Sequence, residues 1–551
     1  MLCGPVSHSR TLSETPKKRS LANIAGIVAA ATLLSKLFGL VRQQAIAAAF
    51  GVGPAYDAYN FAYVIPGFLL ILLGGINGPF HSAMVSVLSR RSKEESAPLV
   101  ETITTLVGGA LLLLTVLIVV FADPLLELVA PGLGRSPEGL MTRAIAVDQL
   151  RIMAPMALLA GLIGIGFGTL NAADSYWLPS ISPLFSSLTV LLGLGALWLG
   201  LGERMDDSQF AILGGAVLAW TTLAGALLQW LVQLPAQIRA GLSGLRLRFE
   251  WQRPEVKEVL SILGPATFSS GMLQINVYTD LFFASFIPAA AAGLGYAGLL
   301  VQTPLGILSN VILVPLLPIF SRLAEPQDWP ELKQRIRQGL LLTAAAMLPL
   351  GTLMVVLAEP IVKVVYQRGA FNRSATELVT SLLIAYSIGM FVYLARDVVV
   401  RVFYALGDGQ TPFRISIVNI FLNALFDWLW LKQFGAPGLV LATVTVNTIS
   451  LVWLMLILHR RLNGLPLLDW AKPILGLALC SAIAGVAAWG IERQLGLWLG
   501  MQGVINQLLH LAIAGSIGGA VFLLSASRLG LPEVAQLQEK LLGRFRRRSA
   551  N

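Results

Sequence analysis

The feature that most constrains this chain is a series of apolar windows, each about 20 residues long, recurring from residue 24 almost to residue 527 with short polar interruptions. A bilayer hydrocarbon core of about 30 Å takes roughly 20 apolar residues per crossing helix, so each window is long enough to span. With 56% hydrophobic and only 12% charged residues among 551, an ordinary soluble fold is excluded. The chain reads as an all-α polytopic membrane protein with no room for a separate catalytic domain. A formal charge of +10 would point to nucleic acid in a soluble chain. Here the basic residues cluster in short loops between apolar spans, which is a topology signal, and no nucleic-acid partner is expected. Cys3 lies in a polar tail and Cys480 in an apolar span, so no disulfide framework is expected.

About fourteen helices are predicted, in the windows 24–50, 57–88, 100–122, 145–171, 178–201, 209–235, 259–286, 291–321, 338–358, 376–405, 412–434, 436–458, 467–491 and 505–527. With the N-terminus in the cytoplasm, the even-numbered connections carry Arg90, Arg91 and Lys93, then the run Arg239, Arg246, Arg248, Arg253 and Lys257, then Arg322, Lys333, Arg335 and Arg337, then Arg414, Arg460 and Arg461. The opposite loops hold far fewer cations. The positive-inside bias therefore predicts both termini in the cytoplasm, with residues 1–20 and 528–551 as polar, basic tails. Residues 1–20 lack the apolar core of a signal peptide and are short for an organelle transit segment.

An internal echo runs through the windows. Those at 57–88 and 291–321 share an early proline (Pro66, Pro304), a Gly-Ile pair (Gly75-Ile76, Gly306-Ile307), an asparagine just after (Asn77, Asn310) and a Ser-Arg exit (Ser89-Arg90, Ser321-Arg322). GTLNAADSYWLPSISPLFSSL from 168 pairs similarly with YALGDGQTPFRISIVNIFLNAL from 404. Two six-helix lobes descended from one ancestor would leave this pattern, and two lobes around a central cavity are a transporter layout. The expected division is an N-terminal lobe at 21–236, a basic linker at 237–258, a C-terminal lobe at 259–459 and an appended helix pair within 460–527.

A cation at the centre of a membrane helix costs roughly 2.5 to 3.5 kcal/mol on insertion scales, so intramembrane charges mark cavities or partners. Lys36 and Arg42 lie six residues apart, about 120° around one helix, with Ser35 and Gly39 small enough to admit another group. Lining a cavity suits them better than pairing or snorkelling. Asp57 opens the second window, where a helix-end cap and a functional role compete. Gln274, Asn276 and Asp280 fall within about two turns of the seventh window and form a candidate polar wall. Arg396, Asp397 and Arg401 are secondary candidates: Asp397 and Arg401 have the four-residue spacing of an intrahelical ion pair, as Asp148 and Arg151 have that of a three-residue pair. Phosphate-loop, H-E-x-x-H, Cys/His and G-x-S-x-G signatures are missing, so no catalytic residue, no metal site and no enzyme activity are expected. What remains is a passive or ion-coupled machine that moves something past a cationic cavity.

The run SKLFGLVRQQAIAAAFGVGPAYDAYNFAYVIP from residue 35 resembles the opening of the MurJ/MviN family of lipid II flippases, within the multidrug/oligosaccharidyl-lipid/polysaccharide exporter superfamily. YQRGAFNRSATE at 366–377 and RVFYALGDGQTPFRISIVNIFLNAL at 401–425 look like two further signatures of it. The resemblance implies a flippase of bacterial peptidoglycan synthesis in the inner membrane, carrying an undecaprenyl-pyrophosphate-linked precursor from the cytoplasmic to the outer leaflet by alternating access. It also implies a groove for the lipid tail beside the last two helices, contact with membrane lipids, and cell-wall synthesis proteins as candidate partners. No cofactor is expected, and coupling to membrane potential or a monovalent ion stays open. An ion-coupled multidrug or other polyprenyl-linked oligosaccharide exporter is the alternative. By position, Lys36 and Arg42 match two cationic sites of the family's first helix, which would bind pyrophosphate, and Asp57 matches its acid at the start of the second. Asp57, Gln274 and Asp280 would hydrogen-bond sugars, peptide or coupling ions. The chain departs from the family pattern in having no cation between Pro66 and His81, and Leu299 and Gln302 where a YADR-like run is common.

Overall fold

The computed structural model describes residues 21–75, 78–202, 204, 208–242, 246–272, 275–499 and 503–535. The helices of the first half are α1 Leu21–Phe50, α2 Pro54–Gly74, α3 Pro79–Leu88, α4 Lys93–Val120, α5 Ala122–Val129, α6 Pro137–Met153, α7 Met156–Ala172, α8 Trp177–Ile181, α9 Pro183–Leu201, α10 Ala211–Leu231 and α11 Leu234–Arg239. Those of the second half are α12 Pro254–Met272, α13 Ile275–Ala284, α14 Ala290–Arg322, α15 Trp329–Val356, α16 Ala358–Tyr366, α17 Arg373–Ala405, α18 Gln410–Phe434, α19 Ala436–Arg461, α20 Leu467–Leu499 and α21 Val504–Ser527. No strand occurs among the described residues, as an all-helical membrane protein requires.

Eleven of these helices or helix runs are long and apolar enough to cross a bilayer, and a twelfth results if α6 and α7 count together. The expected fourteen exceeds that count by the windows at 24–50 and 259–286. The first is α1, one helix of 30 residues that carries Lys36 and Arg42. The second is divided between α12 and α13, with residues 273–274 outside the described set. The α6–α7 pair bends by 42° at Pro155, which has no N–H to continue the ladder.

In the first half, α2 packs on α6 and α7, α3 and α4 pack on α7, and α1 lies along α9. Helix α7 reads MALLAGLIGIGFGTLNA, and its glycines permit the close approach: a Cβ at Gly164 would overlap the Leu73 carbonyl. Gly164→Val should therefore lower the melting temperature by several degrees, a packing loss of about 1–3 kcal/mol checked by thermal unfolding in detergent. In the second half, α17 packs against α14, α15 and α19, α18 packs on α19, and the α20–α21 hairpin leans on α15. The internal echo is only partly structural. The window at 57–88 is broken by Gly74-Gly75 and Gly78-Pro79 into α2 and α3, whereas α14 continues through Pro304, Pro315 and Pro318 as one helix of 33 residues.

The seventh window belongs to both halves. Helix α12 seats Val256, Val259 and Leu263 among Val87, Leu99 and Ile103 of α3 and α4, while α13 packs on α18 and α19. At the α12 end of the bundle, Arg91 binds Glu255 at 3.0 Å and Glu258 at 3.3 Å, and Arg248 of the linker binds the buried Glu101 of α4 at 2.6 Å.

Candidate functional site

The two halves are locked together at the opposite end, where the α1–α2, α13–α14 and α16–α17 connections meet. Gly51 and Gly369 have φ of 52° and 56°, and each faces the other half's backbone: a Cβ on Gly51 would overlap the Ala370 carbonyl, and one on Gly369 the Ala48 carbonyl. Between them the Ala370 N–H donates to the Ala48 carbonyl at 2.9 Å. The fully buried Tyr296 of α14 donates to the Gly51 carbonyl at 2.8 Å and packs against Tyr56, Tyr366 and Phe371, with ring centroids 4.7–5.3 Å apart. FGVG from the opening run and RGAF from the second signature are thus two sides of one latch, a function their separate positions in the sequence do not announce.

Asp57 completes the latch. It is buried one turn into α2, and its carboxylate accepts from the Ala292 N–H at 2.9 Å, with the first residues of α14 gathered round it. It is a cap, but of α14 in the other half rather than of its own helix. Ala289 takes the left-handed conformation, φ 61°, to start that helix. Beside it a cavity of about 590 Å³ is lined by Asp57, Arg135, Glu138, Ser285 and Phe286, with Arg135 4.8 Å over the Phe286 ring.

On α1 the two expected cations diverge. Lys36 is exposed, and nothing approaches the space a Cβ would take on Gly39 within 4 Å, so the close contact expected at that small residue is not made. Arg42 is half-buried beside α2, where its charge is felt by the hydroxyls of Tyr56, Tyr59 and Tyr63, a stacked row with centroids 5.3–6.0 Å apart. Its Nε is buried and has no hydrogen-bond partner among the described residues. Gln43, one residue on, donates to the Tyr56 hydroxyl. Gln274 and the side chain of Asn276 lie outside the described residues.

Asp280 of α13 anchors a polar cluster that its own helix only begins. The Asn423 amide of α18 donates to Asp280 at 2.6 Å and to the fully buried Asp427 at 2.9 Å, and the Thr443 hydroxyl of α19 donates to Asp280 at 3.2 Å. Asp427 Oδ1 and the nearby Asn419 Oδ1 are buried without partners among the described residues. Two carboxylates bridged by one amide inside an apolar bundle, with Asn419 and Thr443 beside them, form a set of oxygen acceptors whose chemistry matches a hard monovalent cation or a proton. The sequence offered Asp280. Asn419, Asn423 and Asp427, spaced four apart along NIFLNALFD, carried an i, i+4 polar stripe that signals the rest.

Arg396, Asp397 and Arg401 of α17 border a cavity of about 860 Å³ closed by α14 and the start of α18. The ion pair expected between Asp397 and Arg401 is not formed. Arg401 reaches across to the Leu313 carbonyl of α14 at 3.1 Å, and Asp397 lies 4.0 Å from Arg396. Asp148 and Arg151 do pair, at 3.7 Å on an exposed face. The third signature is structural: Asp408 accepts from the Thr411 N–H and hydroxyl at 2.9 and 2.8 Å and from Arg461 at 2.5 Å. Burial pushes that carboxyl up, but these donors outweigh it and hold it below the usual carboxylate range.

Comparison with known proteins places this geometry. The family described as "Lipid II flippase MurJ" matches residues 46–509. The chain is similar to the "Probable lipid II flippase MurJ" of Synechocystis sp., at 57% identity over 96% of this chain and 98% of that one. It is 27% identical to the "Lipid II flippase MurJ" of Burkholderia cenocepacia over 86% of this chain and 89% of the other. Among solved structures, "Lipid II flippase MurJ, inward closed conformation" superposes with a TM-score of 0.72 at 22% identity, over 91% of this chain and 98% of that one. An inward-facing multidrug resistance MATE transporter of the MOP superfamily matches at 0.57 and 14%, over 80% and 98%. The last two establish the fold.

Proposed function

This chain belongs to the lipid II flippase MurJ family, and from that premise we propose how its residues divide the work of moving the lipid-linked peptidoglycan precursor across the inner membrane. The observation that carries the reading is Arg42: a guanidinium with an unpartnered buried Nε, held beside a row of tyrosines on a helix that crosses the bundle. A diphosphate is the anion such a group is suited to take, through charge-assisted hydrogen bonds in a water-poor site. Lys36, exposed two turns away along α1, supplies a second charge as the headgroup approaches.

The positive-inside bias supports cytoplasmic termini, which puts the Arg91–Glu255 contacts on the cytoplasmic side and the Gly51–Gly369 latch on the outer side. Alternating access then requires the latch to part while α12 holds to the first half, with α13 moving with the second. The Asp280, Asn423, Asp427 and Thr443 cluster is the coupling site, binding a monovalent cation or a proton and so biasing α13 toward α18 and α19. The undecaprenyl chain of the substrate runs along the exposed apolar flank of α20 and α21.

The test is growth rescue in cells depleted of their own lipid II flippase. The unaltered chain should restore growth, and Arg42→Ala should cut lipid II translocation roughly tenfold to a hundredfold, the loss of about 1.5–3 kcal/mol from a charge-assisted contact. Lys36→Ala should cost less, because an exposed charge is screened. Full translocation by both variants at normal expression would sink the diphosphate role.

A further inference from the structure

We infer that Arg396 and Arg401 form a second phosphate seat within the C-terminal half, for the diphosphate of a lipid whose chain lies on the apolar wall of the same cavity. The inference rests on reading the chain as a carrier of a lipid-linked diphosphate and adds a place where that group is held, away from α1.

The cavity has three features that fit such an amphiphile. First, it holds two guanidiniums against one carboxylate. Arg396 is fixed rather than free: its Nε donates to the buried Ser450 hydroxyl at 2.9 Å and its Nη2 to the Ser416 hydroxyl at 3.3 Å. That leaves Nη1 with only Asp397 near it, at 4.0 Å, in a residue that lines the cavity. Arg401 spends Nη1 on the Leu313 carbonyl at 3.1 Å, and its remaining N–H groups have no partner among the described residues. A guanidinium already oriented by neutral hydroxyls or a carbonyl keeps its charge unneutralised and loses little freedom on binding.

Second, Asp397 leaves the cluster net positive and is itself more than half exposed, so it can turn to solvent when an anion enters. The start of α18 at Gly409 and Gln410 also borders the cavity. Third, the wall also carries an apolar set, Leu317, Val400, Phe413, Ile417 and Ile420, and the neighbouring Phe421 of α18 is exposed. A volume of about 860 Å³ accommodates a diphosphate together with the first isoprene units of a chain. No residue of α1 or α2 is among its described lining, so this seat is distinct from Arg42.

The geometry suits a station on the substrate's path. The cavity lies at the end of the bundle shared by the α17–α18 turn and the end of α14, the end assigned above to the cytoplasm, where a precursor made in the inner leaflet enters.

The decisive experiment is binding to the purified full chain in detergent, read by native mass spectrometry, with undecaprenyl diphosphate, inorganic pyrophosphate and phosphatidylglycerol as separate probes. Arg42→Ala is the background, so that the remaining binding reports this seat. Adding Arg401→Gln should weaken undecaprenyl diphosphate binding about tenfold to a hundredfold, a loss read against the melting temperature of the same variant so that binding and folding are separated. Arg401→Lys, which keeps the charge but loses the planar fork, should lose less. Pyrophosphate bound more weakly than the lipid but lost in the same variant supports the seat and shows that the chain contributes to it. Phosphatidylglycerol bound as tightly as the diphosphate and lost equally would overturn the diphosphate assignment. Unchanged lipid diphosphate binding in Arg42→Ala/Arg401→Gln would overturn the seat while leaving the flippase reading intact, because growth rescue by the unaltered chain tests that reading independently.

Discussion

Asp427→Asn should abolish coupled translocation, lowering it at least a hundredfold, while leaving the folded bundle in place. The carboxylate is fully buried, one of its oxygens accepts from Asn423 and the other has no partner among the described residues. Asp280 takes the second hydrogen of the same Asn423 amide. Two buried carboxylates that share the Asn423 amide, with one further donor from Thr443, are unfavourable in an apolar interior, which is why the proposed coupling site would take up a positive species when α13 is docked on α18 and α19. Asparagine keeps the volume and removes that requirement. The docked state is then stable without a ligand, and binding no longer drives the cycle.

The measurement is thermal unfolding in sodium chloride against choline chloride, alongside a pH series. A ligand at a hundred times its dissociation constant stabilises by about 2.7 kcal/mol, so the unaltered chain should gain several degrees with the coupling species, and Asp427→Asn should gain none. A response to sodium at constant pH identifies a metal cation. A response to acid alone identifies a proton. The coupling role would be excluded by a variant that keeps both the response and full translocation.

The second large effect is expected from Gly369→Val. At φ 56° a β-branched residue is strained by about 1–2 kcal/mol or more, and its Cβ would overlap the Ala48 carbonyl that Ala370 must reach. Both costs fall on the latched state only, so the latch equilibrium should shift by tenfold or more toward parting, since each 1.4 kcal/mol is a factor of ten. A cysteine placed at the buried Leu133, in a chain with Cys3 and Cys480 replaced, should then react with an impermeant maleimide at least ten times faster. Equal rates would show that the latch is not a moving contact. Gly51→Val should act in the same direction, because the two glycines face each other's backbone.

Much of the scaffold was legible because hydropathy reports the dominant cost, that of placing a polar backbone in hydrocarbon, and among the described residues each window is occupied by one or two α-helices. The division at Pro155 was legible in principle, since proline removes a ladder donor. What the period could not show is which helix each polar side chain would serve. Asp57 reads locally as the start of α2, but its partner is the Ala292 amide of α14, 235 residues away. Asp397 and Arg401 have ideal spacing for a pair, yet Arg401 finds a carbonyl of α14 because that helix packs directly on α17. The signatures FGVG and RGAF could be recognised but not explained, because the contact between them needs both halves in place.

By itself, then, the sequence determined that the chain is a bundle of membrane helices, where its charged loops lie, and that a few costly polar groups sit within the spans. Those properties follow from transfer free energies, which depend on each residue and its near neighbours alone. Only the tertiary structure decided that Asp57 closes a latch, that Asp280 shares an amide with Asp427, and that two arginines of α17 face a cavity. A hydrogen bond or an ion pair depends on an approach to about 3 Å between atoms from different helices, and packing across the whole bundle is what sets that distance.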